Sequence, residues 1–143
     1  MAALIDFKSI HAAIKAKMST AKLKYHTAAS WFNYKLGSFP LAAHSNGYTI
    51  MPGPGNKSEE YEAYDWFETP WTIEFCLDAN HDIYLDNLCE AYAAVKSLES
   101  IDNDNVVSIE CMGWDTQNIK NNLILTFDLM ITINETQTGE QNG

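Results

Sequence analysis

Alternation of apolar and polar residues is clearest between Trp71 and Asn134. Every second residue of the run Trp71–Leu77 is apolar, which is the pattern of a strand that buries one face. Two further runs, Val106–Trp114 and Leu123–Ile133, are predicted to be strands of the same sheet. The polar residues 115–122 between them indicate a hairpin connection.

Two segments have the spacing of three and four residues that is typical of amphipathic helices. The first runs from Leu4 to about Met18, with Phe7, Ile10, Ile14 and Met18 on its apolar side and Lys8 and Lys15 on its polar side. A contact with nucleic acid through this basic stripe is one interpretation, and a solvated surface is the commoner one. The second helix runs from about Tyr84 to Ser100. Its predicted buried stripe consists of Leu85, Leu88, Tyr92, Val95 and Leu98.

The segment between the first helix and Trp71 has no long periodic pattern. Phe32, Tyr34 and Leu36 alternate with polar residues, which suggests a short strand. Prolines and glycines between residues 37 and 58 leave room only for one more short strand at 48–51. We therefore predict a long irregular loop at about 37–68, a feature that is more often functional than structural.

These elements predict an α+β protein in which a small, mostly antiparallel sheet packs against two helices. The expected order is roughly α-β-β-α-β-β, in a single domain over residues 1–134 with a flexible polar tail at 135–143. The second face of the sheet carries Glu74, Glu110 and Asp128 opposite the apolar positions. Antiparallel sheets often leave such a face in water.

The composition is typical of a globular protein, and the sequence predicts where the chain is synthesised. The 143 residues suit one domain, and 46% of them are hydrophobic while 20% are charged. The chain shows neither a signal-peptide pattern nor an apolar run long enough to span a membrane, so we expect synthesis in the cytoplasm. Cys76, Cys89 and Cys111 lie in apolar patterns and are predicted to be buried free thiols.

Charge is divided unevenly along the chain. Residues 1–58 contain seven lysines and one acid, a charge of +6, whereas residues 59–143 contain two lysines and eighteen acids, a charge of −16. The absence of arginine argues against phosphate recognition and phosphoryl transfer. This division suggests that one end of the chain meets the opposite end of a neighbouring copy. Two solvated surfaces of opposite sign remain the alternative.

The sequence contains no catalytic signature, and we expect neither an enzyme nor a cofactor. None of the four histidines has a cysteine or a second histidine at metal-ligand spacing. His81 and Asp82 beside Asp78 could form a weak cation site, but a turn that caps the following helix explains them more simply. We therefore predict no catalytic residue and no metal site.

The order of elements, the size of the chain and its acidic balance resemble the tail terminator (tail completion) proteins of long-tailed bacteriophages. The residues that carry the resemblance are the helix Leu4–Met18, the strand Trp71–Leu77, the helix Tyr84–Ser100 and the closing strands Val106–Trp114 and Asn122–Asn134. The resemblance implies a small α+β domain that forms a hexameric ring, caps the tail tube and joins the head-side connector. It also implies that DNA passes through the lumen without specific binding and that the protein resides in the tail or neck of the virion. The long Gly/Pro loop at 37–58 departs from the family pattern.

Within this interpretation, the interface with other proteins should include the basic stripe and the exposed aromatic residues. The expected interface residues are Lys8, Lys15, Trp31, Tyr34, Tyr48, Met51, Tyr61, Tyr64, Trp66 and Phe67. Glu74, Glu110 and Asp128 are expected to face the lumen, where they would repel the phosphate backbone.

Three other functions fit the same sequence. The chain could be a different neck or head–tail adaptor subunit. It could also be a soluble acidic module that binds a basic partner through Glu59–Glu68, whose aromatic residues would anchor the contact. A small enzyme or ligand-binding domain that uses acids near His81 is the remaining alternative.

Overall fold

A computed structural model describes residues 4–19, 23–35, 46–61, 64–79, 84–119 and 121–136, with residues 32–35 and 59–61 placed by their backbone alone. The elements are α1 (Phe7–Met18), β1 (Lys24–Tyr25), α2 (Ala28–Lys35), β2 (Gly47–Met51), β3 (Asn56–Tyr61), β4 (Tyr64–Asp78), α3 (Tyr84–Ser97), a 3₁₀ turn (Leu98–Ser100), β5 (Val106–Ile119) and β6 (Asn122–Asn134).

Six strands form one sheet in the order β1-β2-β4-β6-β5, and β3 pairs with the first part of β4. β1 runs parallel to β2, whereas the other pairings are antiparallel. The predicted α+β class is confirmed. The predicted order of elements is wrong, because the described residues contain a third helix and two strands that the sequence did not suggest, and the sheet is mixed.

The core lies between one face of this sheet and the helices α1 and α3. The predicted buried side of the Trp71–Leu77 strand is confirmed, since Trp71, Ile73, Phe75 and Leu77 are all buried. They lie opposite odd-numbered residues of β6, so that Phe75 pairs with Leu125 and Ile73 with Phe127. This interlocking of apolar side chains across two long strands stabilises the sheet. We call this side the core face and the opposite side the outer face.

Both predicted helices are confirmed, but their buried faces differ from the prediction. In α1, Ile10, Ile14 and Met18 are buried while Phe7 is exposed. In α3, Ala91, Ala94 and Val95 are buried, whereas Leu85 and Tyr92 are exposed. Small alanine side chains let the helix backbone approach the sheet closely, and this rotates the larger residues toward the edge of the contact.

The irregular loop predicted for residues 37–68 is wrong for its described part, which consists mainly of β2, β3 and the start of β4. The Gly/Pro run at 52–55 is the short link between β2 and β3. Gly53 is required there, because a Cβ atom at this position would lie 2.0 Å from the carbonyl oxygen of Pro70. Residues 37–45, 62 and 63 lie outside the described part of the chain.

Two other predicted connections are also corrected. The strand expected around Phe32, Tyr34 and Leu36 is replaced over residues 32–35 by helix α2, and Leu36 lies outside the described residues. The hairpin connection expected at 115–122 is shorter, because β5 continues to Ile119 and β6 begins at Asn122. An exposed strand pair needs few apolar residues, so its length does not appear in the hydrophobic pattern.

The start of the chain and the end of β6 are joined through Asn105, which is only 4% exposed. Its Nδ2 donates to the carbonyl oxygens of Leu4 (2.9 Å) and Asn134 (2.8 Å), and its Oδ1 accepts from the Asp6 amide (3.0 Å). The Thr136 amide also donates to the Leu4 carbonyl at 2.9 Å. The Glu135 amide donates to the Asp65 carbonyl at 3.0 Å. Both described residues of the predicted flexible tail, Glu135 and Thr136, are therefore hydrogen-bonded, and residues 137–143 lie outside the described range.

Candidate interaction surfaces

Three aromatic rings from three elements meet beside the β5 edge of the sheet. Tyr92 of α3 and Trp114 of β5 meet edge to face at 5.6 Å, and Trp114 lies 5.9 Å from Phe127 of β6. Phe127 is buried beneath them, whereas Tyr92 is 41% exposed and Trp114 is 53% exposed. With Leu88 and Cys89 these rings line an open hollow of about 310 Å³. We call these five residues the aromatic hollow.

A bulge in β5 directs Trp114 into this hollow. Cys111 pairs with Leu129, but Gly113 pairs with Asp128 and Trp114 with Phe127, so Met112 is the extra residue. Without the bulge, Trp114 would point to the outer face. Gly113 has φ of +146°, a value that residues with a side chain rarely adopt. The bulge also leaves the Met112 side chain 58% exposed.

Gly113→Ala is expected to lower the free energy of unfolding by about 1–2 kcal/mol, because alanine is strained at this φ. No steric clash contributes, since a Cβ at Gly113 has no heavy atom within 4 Å. Urea denaturation measures the change. Met112→Ala is the matched control in the same bulge and should change stability by less than about 0.5 kcal/mol. Equal effects of the two substitutions would contradict a strained glycine.

Part of the outer face is covered by α2 through Trp31. The Trp31 Nε1 donates to Oε1 of Glu74 at 2.7 Å, and the Thr126 hydroxyl donates to Glu74 Oε2 at 2.9 Å. The Trp31 ring packs with Cys76 and Ile124. Glu74 is only 5% exposed, so its predicted position on an open, lumen-facing surface is wrong. Trp31 is fully buried, and its predicted role as an exposed interface residue is wrong as well.

The rest of the outer face is acidic. Glu68, Glu110, Asp115 and Asp128 are exposed, and their strand pairings place them on this one side of the sheet. The strands β2, β4, β5 and β6 contain no lysine. Lys24 of β1, at the far edge, is exposed and shares the outer face with Gly47. The predicted exposure of Glu110 and Asp128 on the second face agrees with the structure.

The lysine-bearing side of the molecule is formed by α1 and β1. Lys15 Nζ lies 4.3 Å from the centre of the Tyr25 ring, and Lys8 is exposed. The Tyr25 hydroxyl lies 3.3 Å from Nε2 of His11, and the Tyr25 ring meets Tyr48 edge to face at 5.6 Å. These contacts fix the orientation of α1 on the sheet, so its lysines have a defined position.

Burial is the main cause of the shifted pKa values of His11, Tyr25 and Tyr48. The pKa of His11 is lowered by burial and then by the nearby charge of Lys15. Burial raises the pKa of Tyr25, and burial together with the charge of Tyr25 raises the pKa of Tyr48 to about 12. Tyr48 is therefore a neutral core residue, and its predicted exposure at an interface is wrong.

The remaining predicted interface residues are partly buried or undescribed. Met51, Tyr64, Trp66 and Phe67 are partly buried, whereas the side chains of Tyr34 and Tyr61 lie outside the described part. Phe67 lines a hollow of about 230 Å³ that also involves Ile5, Phe7 and Ile133. The segment Glu59–Glu68, which was predicted to be an exposed binding loop, contributes to the β3–β4 hairpin instead.

The aromatic hollow was missed by reasoning from sequence. The helical period placed Tyr92 and Leu85 in the core, and the alternating pattern of β5 gave no sign of the bulge before Trp114. The cysteines also differ from the prediction: Cys76 is buried, Cys111 is partly buried, and Cys89 is exposed in the hollow. The neighbouring Met112-Gly113 pair is the one local signal, because glycine within a strand often marks a bulge.

The described residues contain no group of three or more histidine, cysteine or acidic side chains placed to hold a metal ion. The possible cation site at His81 and Asp82 lies outside them. Within the same ranges, no helix has the length and apolar character to cross a membrane.

The fold is similar to that of a chain in a solved structure described as "Virion of native gene transfer agent (GTA) particle". The TM-score is 0.54 at 12% sequence identity, and the match covers 87% of this chain and 94% of that chain. At this identity the likeness shows a shared fold. Neither a protein-family profile nor a curated protein sequence matches the chain.

Proposed function

We propose that this protein is a non-enzymatic structural subunit of a virion. In this proposal, copies of the chain form a ring that caps the tail tube and joins it to the head-side connector, while DNA passes through the lumen. The observation that carries the proposal is the outer face, where four exposed acids lie on strands without a single lysine. The fold shared with a chain of a virion particle supports the same function.

An acidic sheet face suits a channel for DNA better than it suits a binding groove. Proteins that hold DNA neutralise its phosphates with lysine and arginine, and the affinity rises with the number of such contacts. Carboxylates on a lumen wall instead repel the phosphates, so the duplex slides without sticking. Glu110 and Asp128 are the exposed acids of this face that we assign to the lumen, and Glu74 contributes to the fold instead.

The test combines the purified protein with tail tubes and with connector complexes. We expect native mass spectrometry to show a ring, and electron microscopy to show one ring at the end of each tube. A ring that binds the connector but not the tube would identify an adaptor subunit instead of a tail terminator. A protein that stays monomeric at all concentrations and binds neither partner would contradict the proposal.

The lumen assignment has its own measurement. The double variant Glu68→Lys with Asp128→Lys changes the outer face outside β5. It should still assemble, and it should acquire DNA binding that weakens as salt increases. The matched control, Glu68→Gln with Asp128→Asn, removes the same carboxylates without adding positive charge and should bind DNA far less. If the lysine variant assembles normally and still ignores DNA, the outer face does not line the channel.

A further inference from the structure

We propose that copies of this chain join head to tail, with the β5 edge of one copy against the lysine-bearing side of the next. The first surface consists of the aromatic hollow with β5, and the second consists of α1 with β1. This inference rests on the self-assembly in the proposed function and names the two surfaces that form each contact. The occupant of the aromatic hollow is therefore a second copy of the chain.

The β5 edge has the features of a strand that requires a cover. β5 is fourteen residues long and ends the sheet, so one side of its backbone has no strand partner among the described residues. All five residues from Trp114 to Asn118 are exposed, on both faces of the sheet. Val107, Met112 and Trp114 are large apolar residues that remain exposed. A long edge strand with exposed large apolar residues readily pairs with another chain.

The fold protects this edge at only one described position. The Cys111 amide donates to Glu99 Oε2 at 3.3 Å, and Lys96 Nζ holds the same carboxylate at 3.0 Å. The hydrogen bond from Lys96 lowers the pKa of Glu99, which keeps this cap ionised. The 3₁₀ turn therefore covers the middle of β5, and the half that begins at Met112 stays open beside the aromatic hollow.

Charge selects the partner. β5 contains two acids, Glu110 and Asp115, and no lysine, whereas α1 and β1 together contain four lysines and no acid. Because β1 and β5 are at opposite ends of the sheet, Lys24 of β1 lies far from the acids of β5. Lys15 contacts Tyr25 and so lies on the β1 side as well. Ser9 and Lys17 of α1 lie beside residues 100–103 instead. Pairing two β5 edges would bring like charges together. Pairing β5 with the lysine-bearing side of another copy brings opposite charges together.

A head-to-tail contact between unlike surfaces leaves one surface of each kind free at the ends. Such assemblies close into a ring when the rotation between neighbouring copies completes a circle, and otherwise they grow as open filaments. The contact therefore also explains how a chain with a single fold could build a ring without a second type of subunit. Its electrostatic part weakens with salt, because exposed charges are screened over about 8 Å at physiological ionic strength.

Two variants, each with one blocked surface, test the contact. The edge variant carries Trp114→Lys with Asp115→Lys, and the helix variant carries Lys8→Glu with Lys15→Glu. Each variant alone is expected to be a 16.1 kDa monomer by native mass spectrometry. An equimolar mixture should form a one-to-one dimer and nothing larger, because the intact surface of each variant fits the other and the two remaining surfaces are blocked.

Controls separate this contact from general effects of charge and folding. Glu68→Lys with Asp128→Lys changes the charge on the outer face and should leave the wild-type assembly intact. A second edge variant, Met112→Lys with Asp115→Lys, keeps the Trp114 ring and should behave like the first. Circular dichroism spectra that match the wild type establish that each variant is folded.

The outcomes separate failure of this contact from failure of the proposed function. A wild-type ring that survives in both blocked variants would overturn the head-to-tail contact and leave the ring itself standing. Folded variants that are monomeric alone and stay monomeric when mixed would also overturn it, since the intact surface of each should fit the other. A variant that dimerises by itself would overturn it as well, because a contact between like surfaces gives that result. A wild-type protein that never assembles would contradict the proposed function and this inference together.

Discussion

Asn105→Ala is expected to lower the free energy of unfolding by about 3 kcal/mol, which is large for a residue without a buried apolar side chain. The substitution removes the hydrogen bonds to the Leu4 carbonyl, the Asn134 carbonyl and the Asp6 amide. Each is worth about 1 kcal/mol, and a partner left unpaired beside the core costs more. The Asn105 amide therefore holds the start of the chain to the end of β6.

The measurement is urea denaturation, supported by hydrogen exchange at individual amides. Exchange at Asp6 and Thr136 should accelerate in Asn105→Ala before global unfolding, because the chain start is released locally. Asn103→Ala is the matched control, since Asn103 is a nearby asparagine whose Oδ1 accepts from the Asn105 amide and whose Nδ2 donates to Ser9. It should cost about 1 kcal/mol. Equal losses in the two variants would show that the Asn105 side chain has no special role.

Trp31→Phe is expected to lower the free energy of unfolding by about 2–4 kcal/mol. The indole Nε1 donates to a carboxylate oxygen of Glu74 that is almost fully buried. A hydrogen bond to a charged group contributes about 1.5–3 kcal/mol, and the smaller phenylalanine ring also leaves a space beside Cys76. This substitution should loosen α2 from the outer face.

Trp71→Phe is the matched control, because Trp71 is equally buried but its Nε1 has no hydrogen-bond partner among the described residues. Its packing loss is offset by the removal of an unpaired donor, so the cost should be smaller by at least about 1 kcal/mol. Both variants are measured by urea denaturation. A greater loss in Trp71→Phe would contradict the role assigned to the Trp31–Glu74 hydrogen bond.

A double-mutant cycle with Glu74→Leu isolates the hydrogen bond from the packing. When both partners are absent, no buried carboxylate remains without its indole donor. The double variant should therefore lose less stability than the sum of the two single losses, by about 1–2 kcal/mol. Strict additivity would show that the two side chains are merely neighbours.

Several elements could be predicted because their apolar residues repeat with a clear period. The core-face alternation of Trp71–Leu77 and the helical spacing of α1 and α3 are local features of the chain. The strands β5 and β6 were also predicted, although β5 is longer than its apolar residues indicate. The acidic outer-face positions Glu110 and Asp128 followed from the same alternation.

Other features depend on what each segment packs against. The buried face of α3 depends on the close fit of Ala91 and Ala94 against the sheet. A hydrophobicity pattern gives more weight to the larger residues Leu85 and Tyr92 and therefore predicts the wrong face. The run at 52–55 contains enough proline and glycine to suggest a loop, yet it is only the turn between two strands. A two-residue strand such as β1 is too short to show an alternation of apolar and polar residues. β1 is recognised as a strand only by its hydrogen bonds to β2.

The candidate surfaces also combine features that are local in the chain with features that depend on packing. The alternation of the sheet, the two amphipathic helices and the uneven charge can be predicted from the sequence, because they depend only on which residues are close along the chain. The burial of Glu74 under Trp31 cannot, because it requires α2 to cover that part of the outer face while Glu110 and Asp128 stay exposed. The contact of Trp114 with Tyr92 and Phe127 also depends on tertiary structure, because a bulge at Met112 reverses the side of the sheet on which every later residue of β5 lies.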